Sequence, residues 1–162
     1  MIKATSNVED VIKNIETIEK KVLSDLTPFW ETARKIIVSE AVNIFRSEGY
    51  GTWAPLSERY RRIKPADKTI LRLTDKYYHS VTRKNSAGNI FEAFPDHMEY
   101  GVDIDLFEML AGAPYPLYHE KGTSKMPARP VFGLLKTSEK MMNNMVKALK
   151  SWLYDEVKKC LK

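Results

Sequence analysis

Residues 90–102, IFEAFPDHMEYGV, decide the fold class of this chain of 162 residues. Two short runs of apolar and aromatic residues flank the dipeptide Pro95-Asp96, and runs of this kind around a turn predict a β-hairpin. The other patterned stretches have helical spacing, so strand and helix do not alternate as they would in a parallel sheet. The sequence therefore predicts an α+β fold, with long N-terminal and C-terminal helices packed on a small antiparallel sheet or hairpin.

Helical periodicity is strongest at the two ends of the chain. From residue 137 or 138 to the C-terminus, apolar side chains recur every three or four positions, and lysines follow in the last turn, where the helix dipole favours cations. Near the N-terminus, Asn7 is a candidate N-cap of a long amphipathic helix that Thr27-Pro28 breaks or kinks and Gly49 ends.

The middle of the chain shows weaker signals. Ser57 is predicted to cap a short basic helix that ends before Pro65, and residues 68–84 are predicted to form another helix. Residues 104–110 are either a short helix or a loop. Residues 112–130 are predicted to be a loop because glycine and proline interrupt them repeatedly.

Length and composition indicate one ordinary domain, residues 1–162, with residues 1–27 as an N-terminal helical extension. The single cysteine, Cys160, excludes an internal disulfide. The first ten residues, MIKATSNVED, lack the apolar region of a signal peptide, and no apolar run approaches the ~20 residues that span a bilayer. We therefore expect a protein that folds in a cytoplasm and has no membrane partner.

Charge is segregated along the chain. The net charge is +5, but residues 1–56 carry −1, residues 57–86 carry +6, residues 87–119 carry −6 and residues 120–162 carry +6. The acidic block contains no lysine or arginine. Blocks of opposite sign suit complementary surfaces, within one fold or between copies of it. The alternative, in which each block is the solvated face of a separate element, stays open.

Groups that could carry catalysis are few. The three histidines and Cys160 do not stand at the spacing of metal ligands, and no further oxygen-ligand pattern surrounds Asp103 and Asp105. We expect no enzyme activity, no cofactor and no metal. A hydrolase acting through Asp103, Asp105 and His119 is the remaining enzymatic alternative.

Residues 57–84 are the candidate segment for nucleic-acid binding. Their arginines and lysines would release counterions from phosphates, and the tyrosines between them could stack on bases. No recognised base-reading motif is present, so two amphipathic helices with a solvated basic face are the competing interpretation. The predicted contacts are Arg61, Arg62, Arg83 and Lys84, interleaved with Tyr60, Tyr77 and Tyr78.

Three short motifs in a fixed order are the most specific feature of the sequence. They are Trp53-Ala54-Pro55-Leu56-Ser57, then Tyr118-His119-Glu120-Lys121-Gly122-Thr123, then Met126-Pro127-Ala128-Arg129-Pro130. With an amphipathic helix before them and a helix after them, they resemble the phage virion-morphogenesis family, the Mu-type tail-completion or neck proteins related to the tail-component family of long-tailed phages. The resemblance covers about residues 35–160. Asp75 stands where the family usually carries a glycine, in an L-x-x-T-G pattern.

The resemblance implies a structural protein of the virion, located at the neck or tail end after assembly in the host cytoplasm. It implies a homo-oligomeric ring, hexameric by expectation, that uses extended loops for its subunit contacts. The ring would meet other neck, tail-terminator or tail-tube proteins and, in passing, DNA. The residues implied at the oligomer interface are Trp53, His119, Glu120, Gly122, Met126, Pro127, Arg129 and Pro130.

Residues 126–130 are predicted to form an extended arm, because Pro127 fixes its own φ and moves Met126 out of the helical region. Such an arm would stay mobile or be covered by a neighbouring subunit. Arg129 would then donate two hydrogen bonds to a carboxylate of that subunit, from the acidic block. Replacing Arg129 with glutamate is expected to abolish the ring and leave the monomer folded. Trp53 is either a core plug or an interface anchor.

Overall fold

Helix α2, Thr27–Arg46, runs through the centre of the fold. The structure, a computed structural model, describes residues 8–160. One face of α2 is buried along its whole length. Its buried residues are Phe29, Ala33, Ile37, Ala41, Ile44 and Phe45. This face is the spine of the core, against which the C-terminal helix, a short central helix and a two-stranded sheet pack.

The N-terminal helix breaks where the sequence predicts. Helix α1, Val8–Ile18, continues into a π-helical turn, Glu19–Leu23, and α2 begins at Thr27 with Pro28 in its first turn. The Asp25 carboxylate accepts a hydrogen bond from the Thr27 N–H at 2.9 Å, which satisfies one of the free donors at the helix start. The predicted N-cap, Asn7, lies outside the described residues.

The predicted hairpin is confirmed. Strands β1, Asn89–Ala93, and β2, Met98–Val102, are antiparallel, with Phe91 opposite Tyr100. The N-terminal end of α2 holds the turn between them, since the Trp30 indole N–H donates to the Phe94 carbonyl at 2.6 Å. Together with the long terminal helices, this sheet confirms the α+β class.

The helix predicted over residues 68–84 is wrong in its first half. Helix α3, Glu58–Ile63, is capped by Ser57 as predicted, but the next helix, α4, covers only Lys76–Thr82. Leu71 and Asp75 have φ of +67° and +59°, and a right-handed helix cannot contain such residues. Asp75 is in the left-handed region that glycine enters most easily.

Residues 104–130 are more helical than expected. Helix α5, Ile104–Ala111, settles the choice between helix and loop, and the Asp103 carboxylate caps it by accepting the Leu106 N–H at 2.9 Å. The predicted loop over residues 112–130 contains a further helix, α6, Tyr115–Lys121. Its Pro116 lies in the first turn, where a missing N–H costs no hydrogen bond, so this proline starts a helix and does not interrupt one.

Two more helices complete the chain. Helix α7, Phe132–Thr137, was not predicted, whereas α8, Glu139–Cys160, is the predicted C-terminal helix. Ser138 caps α8 by accepting the Met141 N–H at 3.2 Å. None of the helices in residues 8–160 has the combination of length and apolar composition that crossing a membrane would require.

Candidate functional site

The three sequence motifs meet in one place. The Nε of Arg129 donates to the Ala54 carbonyl at 3.0 Å and its Nη2 to the Pro55 carbonyl at 3.2 Å. The Arg129 N–H donates to the His119 carbonyl at 2.7 Å, so the third motif is bonded to both of the others. We call residues 53–57, 118–123 and 126–133 the motif unit.

Glu120 joins helix α6 to helix α7 inside this unit. Its Oε1 accepts the N–H groups of Val131 at 2.6 Å and Phe132 at 2.9 Å, and its Oε2 accepts that of Gly133 at 3.2 Å. These are the orphan donors at the start of α7, where a carboxylate is also favoured by the helix dipole. Burial, and then the nearby Glu120 charge, hold the pKa of Tyr77 well above its usual value, so Tyr77 stays a neutral hydrogen-bond donor to Glu120.

The arm at residues 126–130 is folded onto its own chain. Thr123 and Met126 exchange two backbone hydrogen bonds, of 2.8 and 3.3 Å, which close a tight turn before the arm. Gly122 has a φ of +73°, and a Cβ there would lie 2.9 Å from the Ala128 nitrogen. Residues 126–130 therefore pack partly on their own chain while Pro127 and Ala128 stay exposed, and their cover by a neighbouring subunit stays a prediction.

Two residues assigned to an oligomer interface are buried within the single chain. Trp53 is 6% exposed, packs edge-to-face on Phe45 with 6.0 Å between ring centroids, and donates to the Pro130 carbonyl at 3.2 Å. Of its two predicted roles, the core plug is the one observed. Arg129 is 5% exposed and is bonded to carbonyls, so the prediction that a carboxylate of another subunit accepts both its hydrogen bonds is wrong.

A cleft of about 650 Å³ opens beside the motif unit. Leu71, Leu73, Tyr115 and Met126 supply apolar lining, and the first and third motifs form one of its sides. Two cations, Lys125 and Arg129, line it, and its lining residues include no aspartate or glutamate. The cleft therefore combines an apolar surface with two lining cations, of which Lys125 is exposed.

His119 lies in this cleft as a neutral imidazole. Burial, and to a smaller extent the charge of Arg129, lower its pKa to about 4. Its Nδ1 is buried and has no hydrogen-bond partner among the described residues. The ring packs near those of Tyr77 and Tyr115, which makes it part of an aromatic wall and not a solvated base.

The residues implied at the interface therefore divide into two groups. Four of them line the cleft, namely His119, Met126, Pro127 and Arg129. The other four hold the motif unit together and are not among the cleft's lining residues, namely Trp53, Glu120, Gly122 and Pro130. The cleft is also lined by residues that the sequence did not predict, namely Leu71, Leu73, Tyr115 and Lys125. Tyr115 stands four positions before His119 and so shares its helix face, a signal that would have been visible had α6 been predicted.

The basic residues predicted to contact nucleic acid lie on two separate segments of the chain. Arg61 and Arg62 are exposed on α3, while Arg83 and Lys84 follow the end of α4. Two of them already have anionic partners, since Arg62 binds Glu58 at 2.6 Å and Lys84 binds Glu31 at 3.1 Å. Tyr77 is 2% exposed, so the expectation that it could stack on a base is wrong.

The enzymatic alternative receives no added support. Asp103 is used as the cap of α5, and among residues 8–160 no three His, Cys, Asp or Glu side chains come together as a metal site.

No protein-family model matches this chain, and no curated protein or solved structure matches it either. Any assignment of function therefore depends on the residues and geometry described above.

Proposed function

We propose that this chain is a structural phage virion protein of the tail-completion or neck type, which assembles as a ring and takes part in tail completion or head-tail joining. One observation carries the proposal. The three motifs that resemble the virion-morphogenesis family are separated by as many as 77 positions, yet hydrogen bonds join them into one unit. The first motif is far from the other two in sequence, and chance matches so far apart would not be expected to contact one another.

The motif unit would serve as a rigid support for subunit contacts. Glu120 and Arg129 are bonded inside the chain, while the cleft beside the unit, Lys125 and the arm residue Pro127 remain accessible. A closed ring needs a heterologous contact, in which one patch meets a different patch. The alternation of basic and acidic blocks along the sequence would supply two such patches. The partners would be copies of this chain and other neck, tail-terminator or tail-tube proteins.

The test is the assembly state of the purified full-length chain, alone and mixed with tails of the phage that encodes it. We expect light scattering to give a discrete oligomer, and negative-stain images to show closed rings, free in solution and at one end of the tails. A chain that stays monomeric at all concentrations and leaves the tails bare would overturn the proposal.

Charge reversal beside the arm should distinguish a specific ring from non-specific association. Arg129→Glu is unsuitable because a glutamate there would face the two carbonyls that Arg129 now binds, and the monomer itself would be destabilised. Lys125→Glu changes an exposed residue immediately before the arm. We expect Lys125→Glu to weaken the ring, and Lys147→Glu, an exposed change on α8, to leave it intact.

The alternative function, a small nucleic-acid-binding protein using the helices of residues 57–84, has one observation in its favour. Helix α3 has no buried residue, and it presents Arg59, Arg61 and Arg62 together with Tyr60, which is 40% exposed. Cations beside an exposed aromatic ring are what a single-stranded nucleic acid binds. The salt dependence of DNA binding tests this alternative directly.

A further inference from the structure

We propose that the cleft receives helix α5 of a second copy of this chain, with Met109 and Leu110 in the apolar part and the neighbouring carboxylates facing the basic groups. This inference rests on the proposed function, because it names the heterologous contact from which the ring would be built. It identifies a donor face and an acceptor site on each copy.

The donor face is the outer side of α5. Met109 is 73% exposed, more than any other large hydrophobic side chain in the described part of the chain, and Leu110 is 59% exposed. Phe107 on the same helix is 5% exposed. Since successive residues of an α-helix are about 100° apart, Met109 lies on the side opposite Phe107.

Carboxylates surround this exposed apolar tip. Asp105 stands four positions before Met109 and Glu108 immediately before it, and both are exposed. Residues 87–119 contain no lysine or arginine, so no cation within this stretch neutralises them. The exposed methionine and leucine therefore form an apolar patch beside two carboxylates. Exposed apolar patches of this kind mark surfaces that bind a partner.

The acceptor is complementary in both respects. The cleft has apolar walls and contains Lys125 and Arg129 without a lining carboxylate. Its volume of about 650 Å³ is within the range of roughly 300–1,000 Å³ typical of binding pockets, and so accommodates two apolar side chains. Lys125 is exposed at the rim and is the cation best placed to meet Glu108 or Asp105 of another copy.

The contact is between copies, and it can propagate from one copy to the next. Met109 of a given chain is largely exposed, so it does not occupy that chain's own cleft. Phe107 packs edge-to-face on Tyr115, with 4.9 Å between ring centroids, and Tyr115 lines the cleft. Donor and acceptor are thus attached to one packed unit, and each copy that accepts α5 also offers one, which gives rings where the rotation closes.

Site-directed cross-linking tests the contact. In a Cys160→Ser background, one preparation carries Met109→Cys and the other Met126→Cys, and the two are mixed and treated with a short bis-maleimide. We expect a covalent dimer that contains one copy of each variant, in a yield on the order of tenfold above that of the matched control, because the docked contact raises the effective concentration of the two thiols. The control pairs Met126→Cys with Met142→Cys, which is an exposed methionine on α8.

Charge reversal then tests the electrostatic part. Glu108→Lys on the Met109→Cys copy should reduce the cross-link, because like charges then face one another, and Lys125→Glu on the Met126→Cys copy should restore it. Rings that form without cross-linking above the control would overturn this inference and leave the proposed function intact. Cross-linked dimers without rings would support the contact and count against the proposed function, and a strictly monomeric chain would overturn both.

Discussion

The motif unit and helix α3 both contain glutamate and arginine, but they hold these charges in different ways. In the motif unit, Glu120 accepts three backbone N–H groups and Arg129 donates to two carbonyls, with only 5% of Arg129 exposed. On α3, Arg62 and Glu58 pair at 2.6 Å with side chains 76% and 81% exposed. Glu120 and Arg129 therefore stabilise the fold, whereas the charges of α3 remain available to partners.

The largest effect is expected where the motif unit meets the core, at Gly49. It has a φ of +69°, and a Cβ would overlap the indole of Trp53. Gly49→Ala should lower the free energy of unfolding by about 3–4 kcal/mol, from left-handed strain and overpacking combined. Urea denaturation measures this loss.

Gly51 is the matched control for that substitution. Its φ is +78°, but nothing lies within 4 Å of a Cβ there. Gly51→Ala should therefore cost about 1 kcal/mol, the backbone strain alone. Equal losses for the two variants would show that Gly49 is not packed against Trp53 as described.

Glu120→Ala should produce the next largest loss. Removing the carboxylate leaves the N–H groups of Val131, Phe132 and Gly133 without their acceptor, at a cost of about 3 kcal/mol. Glu58→Ala removes a carboxylate from an exposed ion pair on α3 and should cost about 0.5 kcal/mol or less. If the two variants unfold at the same urea concentration, the contrast between the motif unit and α3 is wrong.

His119 should make the motif unit sensitive to acid. Its pKa is lowered from 6.5 to about 4 in the folded chain, so between these values the unfolded chain binds the extra proton. Stability is therefore full above pH 6.5 and falls as the pH drops, by at most about 2 kcal/mol between pH 7 and pH 5.

The variant His119→Gln separates this effect from that of the carboxylates, which titrate in both proteins. Urea unfolding of the two proteins at pH 7 and pH 5 should show a smaller loss for the variant. A loss of the same size in both would mean that His119 does not contribute to acid sensitivity.

The same contrast explains how much the sequence could predict. The break at Pro28, the hairpin and α8 follow from local patterns of periodicity and turn residues, and all three are confirmed. The shortened α4 could not be predicted, because Asp75 is held in the left-handed region by ion pairs to Lys68 at 2.9 Å and Arg72 at 2.8 Å.

The candidate site was predicted by its residues but not by their roles. The motif residues lie together in the structure, but hydrogen bonds between residues 75 and 77 positions apart decide that Arg129 and Trp53 face inward. Periodicity carries no information on such pairs. The cleft escaped prediction for the same reason, since residues from loop 71–74 and helix α6 line it together.

The smallest effect on stability should come from α3, where the double variant Arg61→Gln/Arg62→Gln removes two exposed cations. We expect the free energy of unfolding to change by less than about 0.5 kcal/mol, as for other surface changes. The exposed pair Lys147→Gln/Lys150→Gln on α8 is the control, because it removes the same number of positive charges.

The same α3 variant tests nucleic-acid binding. Since Glu58 already pairs with Arg62, and Glu31 with Lys84, we expect weak DNA binding with a shallow salt dependence. A steep salt slope that falls by about two in the α3 variant alone would mean that both arginines contact phosphates, and would favour the nucleic-acid function over the ring.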